Sequence, residues 1–513
     1  MATQNYKRVW LLSAIASYGG IVTSIIVGLV SVPIGVRYFG PVLYGIWFVI
    51  SSILAYLRAT DFGVGLSTLT LLAQAPQPSH HRIILRRSLG MLLGMSILFV
   101  SVLIVINYTF PGWVGILGKI PLSLEGEVVT AAFTIGILVL LRLPLNIFPV
   151  TFSGLQQVHW NRMYGALNSL IALGALVTTV LVKGNLVTLA FLTGVGGLLV
   201  GAVSGLHLFL AHPQVRPRLS ERVADAPTVG VLFTSGIRFL ILQIAALVIL
   251  NTDNIIISHH LGYGEVTLYA ISFKLFRMGL MVVTSIIAAL WPMYGQALRR
   301  DDWEWMQRTY NWSIFLQIIP GGMIWIGGVI FSQTIINLWV GPDSYGGLLV
   351  SVALGGYIYV STFGGSNVSL INGLNPTNIV VVFGIIEAIL NLGISLALVQ
   401  PLGIGGVALG TFAASLAVNT WFHPLYIWYR TSKRVTIDAK SVLAHAGVST
   451  LCVALSLLVV LNLEGWTQFV FGIVIIGLYV TLSWRVMPSA CQDLIGKALP
   501  SLRTHLTVDG VQG

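Results

Sequence analysis

Residues 10–34 read WLLSAIASYGGIVTSIIVGLVSVPI, twenty-five positions without one charged side chain. At about 1.5 Å of rise per residue, a helix of that length reaches across the ~30 Å hydrocarbon core of a bilayer. Lipid offers no partner for backbone N–H and C=O groups, so a run this apolar takes the form that satisfies its own, the α-helix. Lys7 and Arg8 stand just before it. The run is too long for the ~7–15-residue core of a cleavable signal, and it reads as a first spanning helix.

Thirteen further runs of the same kind follow, at 44–72, 88–110, 128–150, 163–182, 186–210, 230–257, 265–294, 312–338, 346–371, 377–399, 404–429, 441–461 and 467–486. The expectation is an all-α integral membrane protein of about fourteen transmembrane helices. Composition agrees: the 513 residues are 56% hydrophobic and 8% charged, with a mean hydropathy of +0.90. A soluble domain carries roughly 25% charged residues, and a chain this poor in charge cannot face water all round.

The net charge of +11 would suit nucleic acid, but its distribution argues against that partner. With the N-terminus inside, nineteen Lys and Arg fall in cytoplasmic segments, among them Arg82, Arg86, Arg87, Arg216, Arg218, Arg222, Lys433, Arg434, Lys497 and Arg503. Three fall outside (Arg37, Lys119 and Lys183) and five within runs (Arg58, Arg142, Arg238, Lys274 and Arg277). This is the positive-inside bias of a multi-pass protein of the cytoplasmic (inner) membrane, with both termini cytoplasmic. The stretch Arg299–Trp312, with Trp303 and Trp305, reads as an interfacial helix.

The chain repeats itself. Ser153-Gly154-Leu155 matches Asn372-Gly373-Leu374 at a shift of 219, and the same shift aligns Gly165 with Gly384 and Gly174 with Gly393. Phe39-Gly40 echoes Leu261-Gly262 at a shift of 222. A unit of six helices, an even number, repeats in parallel. The expected organisation is an N-lobe over 1–212, a C-lobe over 213–434, two appended helices over 435–487 and a cytoplasmic tail over 488–513, the lobes related by a pseudo-twofold axis.

Charges inside spans are the candidates for function, because a cation at a helix centre costs about 2.5–3.5 kcal/mol on insertion scales. Arg58, Arg142, Lys274 and Arg277 are the expected substrate-binding set, and an anion such as pyrophosphate suits them, since Arg offers it paired donors. Arg58 and Asp61, three apart on one helix face, also read as a self-neutralising pair. Arg238 sits near enough to a helix end to snorkel. Glu387, with Asn391 one turn on, is the leading candidate for coupling transport to H+ or Na+; Asp61 and Asp253 are the others, and Asp253 also reads as a local pair or cap. Pro320-Gly321-Gly322 and Gly364-Gly365 are candidate hinges. Gly197, Gly201 and Gly205 form a small-residue stripe for helix packing.

No P-loop, Rossmann fingerprint, His-Glu-x-x-His or nucleophile elbow occurs. Cys452 and Cys491 give neither metal nor disulfide spacing. The expectation is therefore no enzyme, no catalytic residue, no metal and no cofactor, with transport driven by a gradient, by membrane potential or by the substrate itself.

Several short motifs bear on kinship: Tyr38-Phe39-Gly40-Pro41-Val42-Leu43-Tyr44-Gly45, Asp61-Phe62-Gly63, Ser153-Gly154-Leu155-Gln156, Asp253 with Leu261-Gly262, and Asn372-Gly373-Leu374. In order and spacing the chain resembles the polysaccharide-export family of the MOP flippase superfamily, the Wzx-type O-antigen flippases. The resemblance implies a two-lobed bundle whose central cavity opens alternately to each face. It implies a polyprenyl-pyrophosphate-linked oligosaccharide as substrate, its tail left among membrane lipids. The expected working unit is a monomer. The competing expectation is a multidrug/cation antiporter of the related MATE-type family. Interior acids would suit such a cargo, and here interior cations outnumber them.

Overall fold

The computed structural model describes residues 2–75, 77–218, 227–285, 287, 290–374 and 377–492. Expectations placed on Arg222, Lys497, Arg503 and the tail beyond 492 lie outside these residues, as do the side chains of Lys7, Arg8 and Arg238. Among the described residues the secondary structure is entirely helical.

The helices are α1 (Ala2–Arg58), α2 (Val64–Gln74), α3 (Pro78–Thr109), α4 (Glu125–Leu141), α5 (Ile147–Gly154), α6 (Val158–Leu181), α7 (Leu186–Ala211) and α8 (Val229–His260). They continue as α9 (Tyr263–Ser285), α10 (Leu290–Arg299), α11 (Trp303–Trp339), α12 (Leu348–Gly373) and α13 (Thr377–Ala417). A π-helical turn, Val418–Phe422, leads into α14 (His423–Arg430), and α15 (Ala439–Asn462) and α16 (Gly465–Val486) end the series.

Eleven helices among the described residues are long and apolar enough to cross a membrane, or twelve if the bent pair α4–α5 is one span. The expected count of fourteen differs because two of the eleven are broken within. Gly40 (φ 74, ψ 170) interrupts α1 beside Pro41, and the expected runs 10–34 and 44–72 lie either side of it. Gly403 (φ 60, ψ −145) interrupts α13 two residues after Pro401, between the expected runs 377–399 and 404–429. Both glycines hold positive φ, which a Cβ would strain. The loop-like chemistry that marks these breaks in the sequence occupies only a residue or two in space.

The chain forms two compact units. Unit 1 comprises Met1–Ile271 and Trp339–Ser344; unit 2 comprises Ser272–Leu338 and Tyr345–Gly513. Unit 1 thus includes α8 and the start of α9, so this cut falls elsewhere than the repeat boundary expected at 212. The glycines of the 219-residue echo each make a close approach inside their own unit. In unit 1 a Cβ on Gly154 would lie 2.7 Å from Leu72 of α2, and in unit 2 one on Gly373 would lie 2.4 Å from Tyr294 of α10. Gly40 and Gly262, the other echo, both have positive φ.

Two smaller expectations change. α11 runs from Trp303 to Trp339 through Pro320, so Pro320-Gly321-Gly322 is a place of close packing: a Cβ on Gly321 would meet Thr362 at 2.4 Å and one on Gly322 the Tyr479 hydroxyl at 2.1 Å. The stretch Arg299–Trp312 is the turn between α10 and α11 followed by the first turns of α11, in place of a separate interfacial helix.

Candidate functional site

Within unit 1, Arg58 at the end of α1 and Arg142 at the end of α4 line one cavity of about 110 Å³. Its polar lining is completed by Ser51 of α1, Asn168 of α6 and Thr193 of α7, and Trp47 adds an aromatic face; no carboxylate is among its lining residues. Arg142 Nη1 donates to Asn168 Oδ1 at 2.8 Å. Its Nε, like the Thr193 hydroxyl, is buried without a hydrogen-bond partner among the described residues. Such orphans are costly in a dry interior. The two guanidinium charges repel one another, and hydroxyl and amide side chains make up the rest of the polar lining they share.

Arg142 reaches this position because a neighbouring helix makes room. A Cβ on Gly197 would sit 2.4 Å from Arg142 Nη1, while Gly201 and Gly205 seat Leu145 and Phe148 in the same way. The stripe Gly197/Gly201/Gly205 packs α7 against the stretch from Arg142 to Phe148, as its spacing suggests, and its first glycine seats the Arg142 side chain. The α4 helix ends at Leu141, and Pro144 in the following 3-10 turn bends the path by 48° into α5, which releases Arg142 from the regular helix face.

Asp61 does not pair with Arg58. Its oxygens accept from the backbone N–H groups of Gly63 (2.9 Å) and Gly65 (3.4 Å), which caps the start of α2 where Phe62 and Gly63 turn with positive φ. Arg58 is left exposed to the cavity it lines. Gly63 presses backbone to backbone on α8: a Cβ there would lie 2.2 Å from the Gly236 carbonyl oxygen. The motif Asp61-Phe62-Gly63 is thus a capped break and a helix crossing at once.

Lys274 and Arg277 lie on the part of α9 that belongs to unit 2. Lys274 is half-buried and Arg277 exposed. Phe276 between them packs into the space left by Gly328 of α11, where a Cβ would be 2.2 Å away. The structure therefore brings together two of the four expected cations and carries the other two on a different compact unit.

The three acids have different settings. Asp253 of α8 is buried, 3% exposed, and accepts a hydrogen bond from the Tyr269 hydroxyl; beside it Thr252 meets Tyr56 at 2.6 Å and Asn254 reaches Ser52 at 3.0 Å. Glu387 of α13 is half-buried, and the register set by the Asn391–Thr411 and Ser395–Val407 hydrogen bonds places it opposite Ser415 on the second arm of α13. One turn on, Asn391 is fully buried; its amide nitrogen donates to Thr411 at 2.9 Å, while its oxygen has no partner among the described residues. The cavity lining of Trp47, Ser51, Asn168 and Thr193 was not singled out from the sequence, because uncharged polar residues are common in apolar helices and only their convergence marks them.

No family model matches the chain. A protein of Salmonella typhi provisionally named an O-antigen transporter is 24% identical over 212 residues, 40% of this chain and 48% of its own length. A protein of the same name from Salmonella typhimurium is 24% identical over 200 residues, 38% of this chain and 46% of its own. The chain spans about half the length of these curated relatives. Among solved structures, an inward-facing multidrug-resistance MATE family transporter of the MOP superfamily matches with a TM-score of 0.67 at 14% identity, covering 82% of this chain and 99% of the other. The lipid II flippase MurJ in an inward closed conformation matches with a TM-score of 0.65 at 15% identity, covering 93% of this chain and 99% of the other. The chain is an all-α membrane protein with the fold of the MOP-superfamily MATE transporters and of the lipid II flippase, and the Wzx-type resemblance carried by its motifs stands in line with the O-antigen transporters it partly matches.

Proposed function

We propose that the chain flips a polyprenyl-pyrophosphate-linked oligosaccharide across the cytoplasmic membrane by alternating access, with two parallel six-helix lobes rocking about the substrate and both termini in the cytoplasm. The observation that carries this reading is the shared cavity of Arg58 and Arg142, lined without a carboxylate. A cavity of that size admits a phosphoryl-sized anion while the glycan stays outside it. Lys274 and Arg277 are the other two anion-binding residues in this reading, and Glu387 couples transport to H+ or Na+. Asp61 and Asp253 serve coupling less directly, each already holding local donors. The substrate's tail remains in lipid, and a single copy suffices.

The fold likeness to a MATE transporter supports a second reading, a multidrug/cation antiporter. A cationic cargo would be repelled by paired guanidinium groups, which favours the first. The two are separated in cells lacking the protein. Flippase loss leaves lipid-linked glycan on the inner leaflet, and chains bearing Arg58→Ala with Arg142→Ala, or Lys274→Ala with Arg277→Ala, insert normally but do not restore export. Normal glycan export together with new sensitivity to cationic drugs would transfer the assignment to the antiporter.

A further inference from the structure

The turn Val418–Phe422 is π-helical, a wide turn that is rare and tends to persist where it serves a site. Its second residue is Asn419, 7% exposed. The Asn419 amide nitrogen donates to the Ser415 hydroxyl oxygen at 2.9 Å and to the Ser415 carbonyl at 3.1 Å. Its own backbone carbonyl accepts from the Asn367 amide of α12 at 3.1 Å. Asn367 in turn accepts from the Tyr310 hydroxyl of α11 at 2.7 Å. Tyr310, Asn367 and Ser415 are all fully buried. Gly364 of α12 makes the fit possible, since a Cβ there would lie 2.0 Å from Asn419 Oδ1.

Every bond in this series donates in one direction. Tyr310 gives to Asn367, Asn367 to Asn419 and Asn419 to Ser415. Ser415 stands opposite Glu387 in the antiparallel register that the Asn391–Thr411 and Ser395–Val407 hydrogen bonds set between the two arms of α13, and because its oxygen is already an acceptor, its one proton is free for that carboxylate. Bonds aligned this way strengthen one another. We infer that Asn419, held in the π turn, is a positioning residue that aims the Ser415 hydroxyl at the Glu387 carboxylate and so fixes the geometry of the coupling site. This rests on the reading of Glu387 as that site.

The test is infrared spectroscopy of the full chain in lipid nanodiscs, which needs no substrate. The carboxylate stretch of Glu387 is the band that vanishes in Glu387→Gln. Asn419→Leu and, independently, Ser415→Ala shift that band, the double variant shifts it no further than the larger single effect, and Ser415→Thr, which keeps the hydroxyl, leaves it in place. A merely structural role for Asn419 would not move it. Should Asn419→Leu not fold, Ser415→Ala carries the comparison. A band unmoved in the variants that fold would overturn the inference. The coupling reading fails separately, if Glu387→Gln chains in liposomes still flip a fluorescent undecaprenyl-pyrophosphate-linked N-acetylglucosamine in response to an imposed proton or sodium gradient.

Discussion

At the scale of single residues, Arg142 is the group on which the proposed anion site turns. It enters the cavity from a helix end, is held by Asn168 and has space only because position 197 is glycine. Arg142→Lys keeps the charge but loses the planar fork, so transport falls by about tenfold or more while insertion is unchanged, as an export assay on cells making normal amounts of the protein will read. Gly197→Ala displaces the flexible end of Arg142 without touching backbone. It is expected to impair export almost as much with little loss of thermal stability. Gly63→Ala is the contrasting case: positive φ and a carbonyl 2.2 Å away predict a loss of at least about 1–3 kcal/mol, visible as early thermal unfolding in detergent. Of these residues the arginine was legible in the sequence, because a charge within an apolar run stands out. The glycines were visible as a stripe, but which side chain each would seat depends on the neighbouring helix.

At the scale of elements, α11 and the last two helices show how a break in the sequence becomes a joint in the structure. His445 of α15 is fully buried, with Nδ1 3.0 Å from the Tyr359 hydroxyl and Nε2 3.1 Å from that of Tyr479. Tyr479 of α16 also reaches the carbonyls of Ile318 and Ile319, at 3.3 and 3.1 Å, just ahead of Pro320. If the Tyr479 proton goes to α11, then His445 must donate from Nε2 and accept from Tyr359 at Nδ1, which sets its tautomer. Tyr479→Phe removes this tie and is expected to lower stability by about 1–3 kcal/mol. Gly322→Ala, which places a Cβ 2.1 Å from the same hydroxyl, evicts the whole ring and costs more. Thermal unfolding of the purified chain ranks the two, and equal stability of both with the parent would dismiss the tie. Spacing alone suggested a hinge at Pro320-Gly321-Gly322. Proline and glycine mark a hinge and a tight crossing with the same letters, and only the partner helix distinguishes them.

For the whole molecule, the orientation read from the Lys and Arg bias is open to direct labelling. Cys452 and Cys491 are both buried, and burial, with Asp438 nearby, pushes the Cys491 thiol up to about 11. Thiolate is the reactive form, so both react slowly with maleimides. New cysteines at two exposed positions then report cleanly. Lys183→Cys is expected to label from outside intact cells, and Lys433→Cys only after permeabilisation; the reverse pattern would invert the topology. The internal repeat also belongs to this scale. Its glycines Gly154 and Gly373 each make a close approach within their own unit.

Sequence by itself determined that the chain lives in lipid, that it is helical throughout its spans, and which positions carry charge where charge is expensive. Each of these follows from local composition and from the need of every backbone group for a partner within its own segment. Tertiary structure decided that Arg58 and Arg142 meet in one cavity, that Asp61 caps a helix in place of pairing with Arg58, and that Asn419 faces Ser415 across a widened turn. Those outcomes depend on how separate helices approach one another, and residues far apart in the chain carry no record of that approach in their spacing.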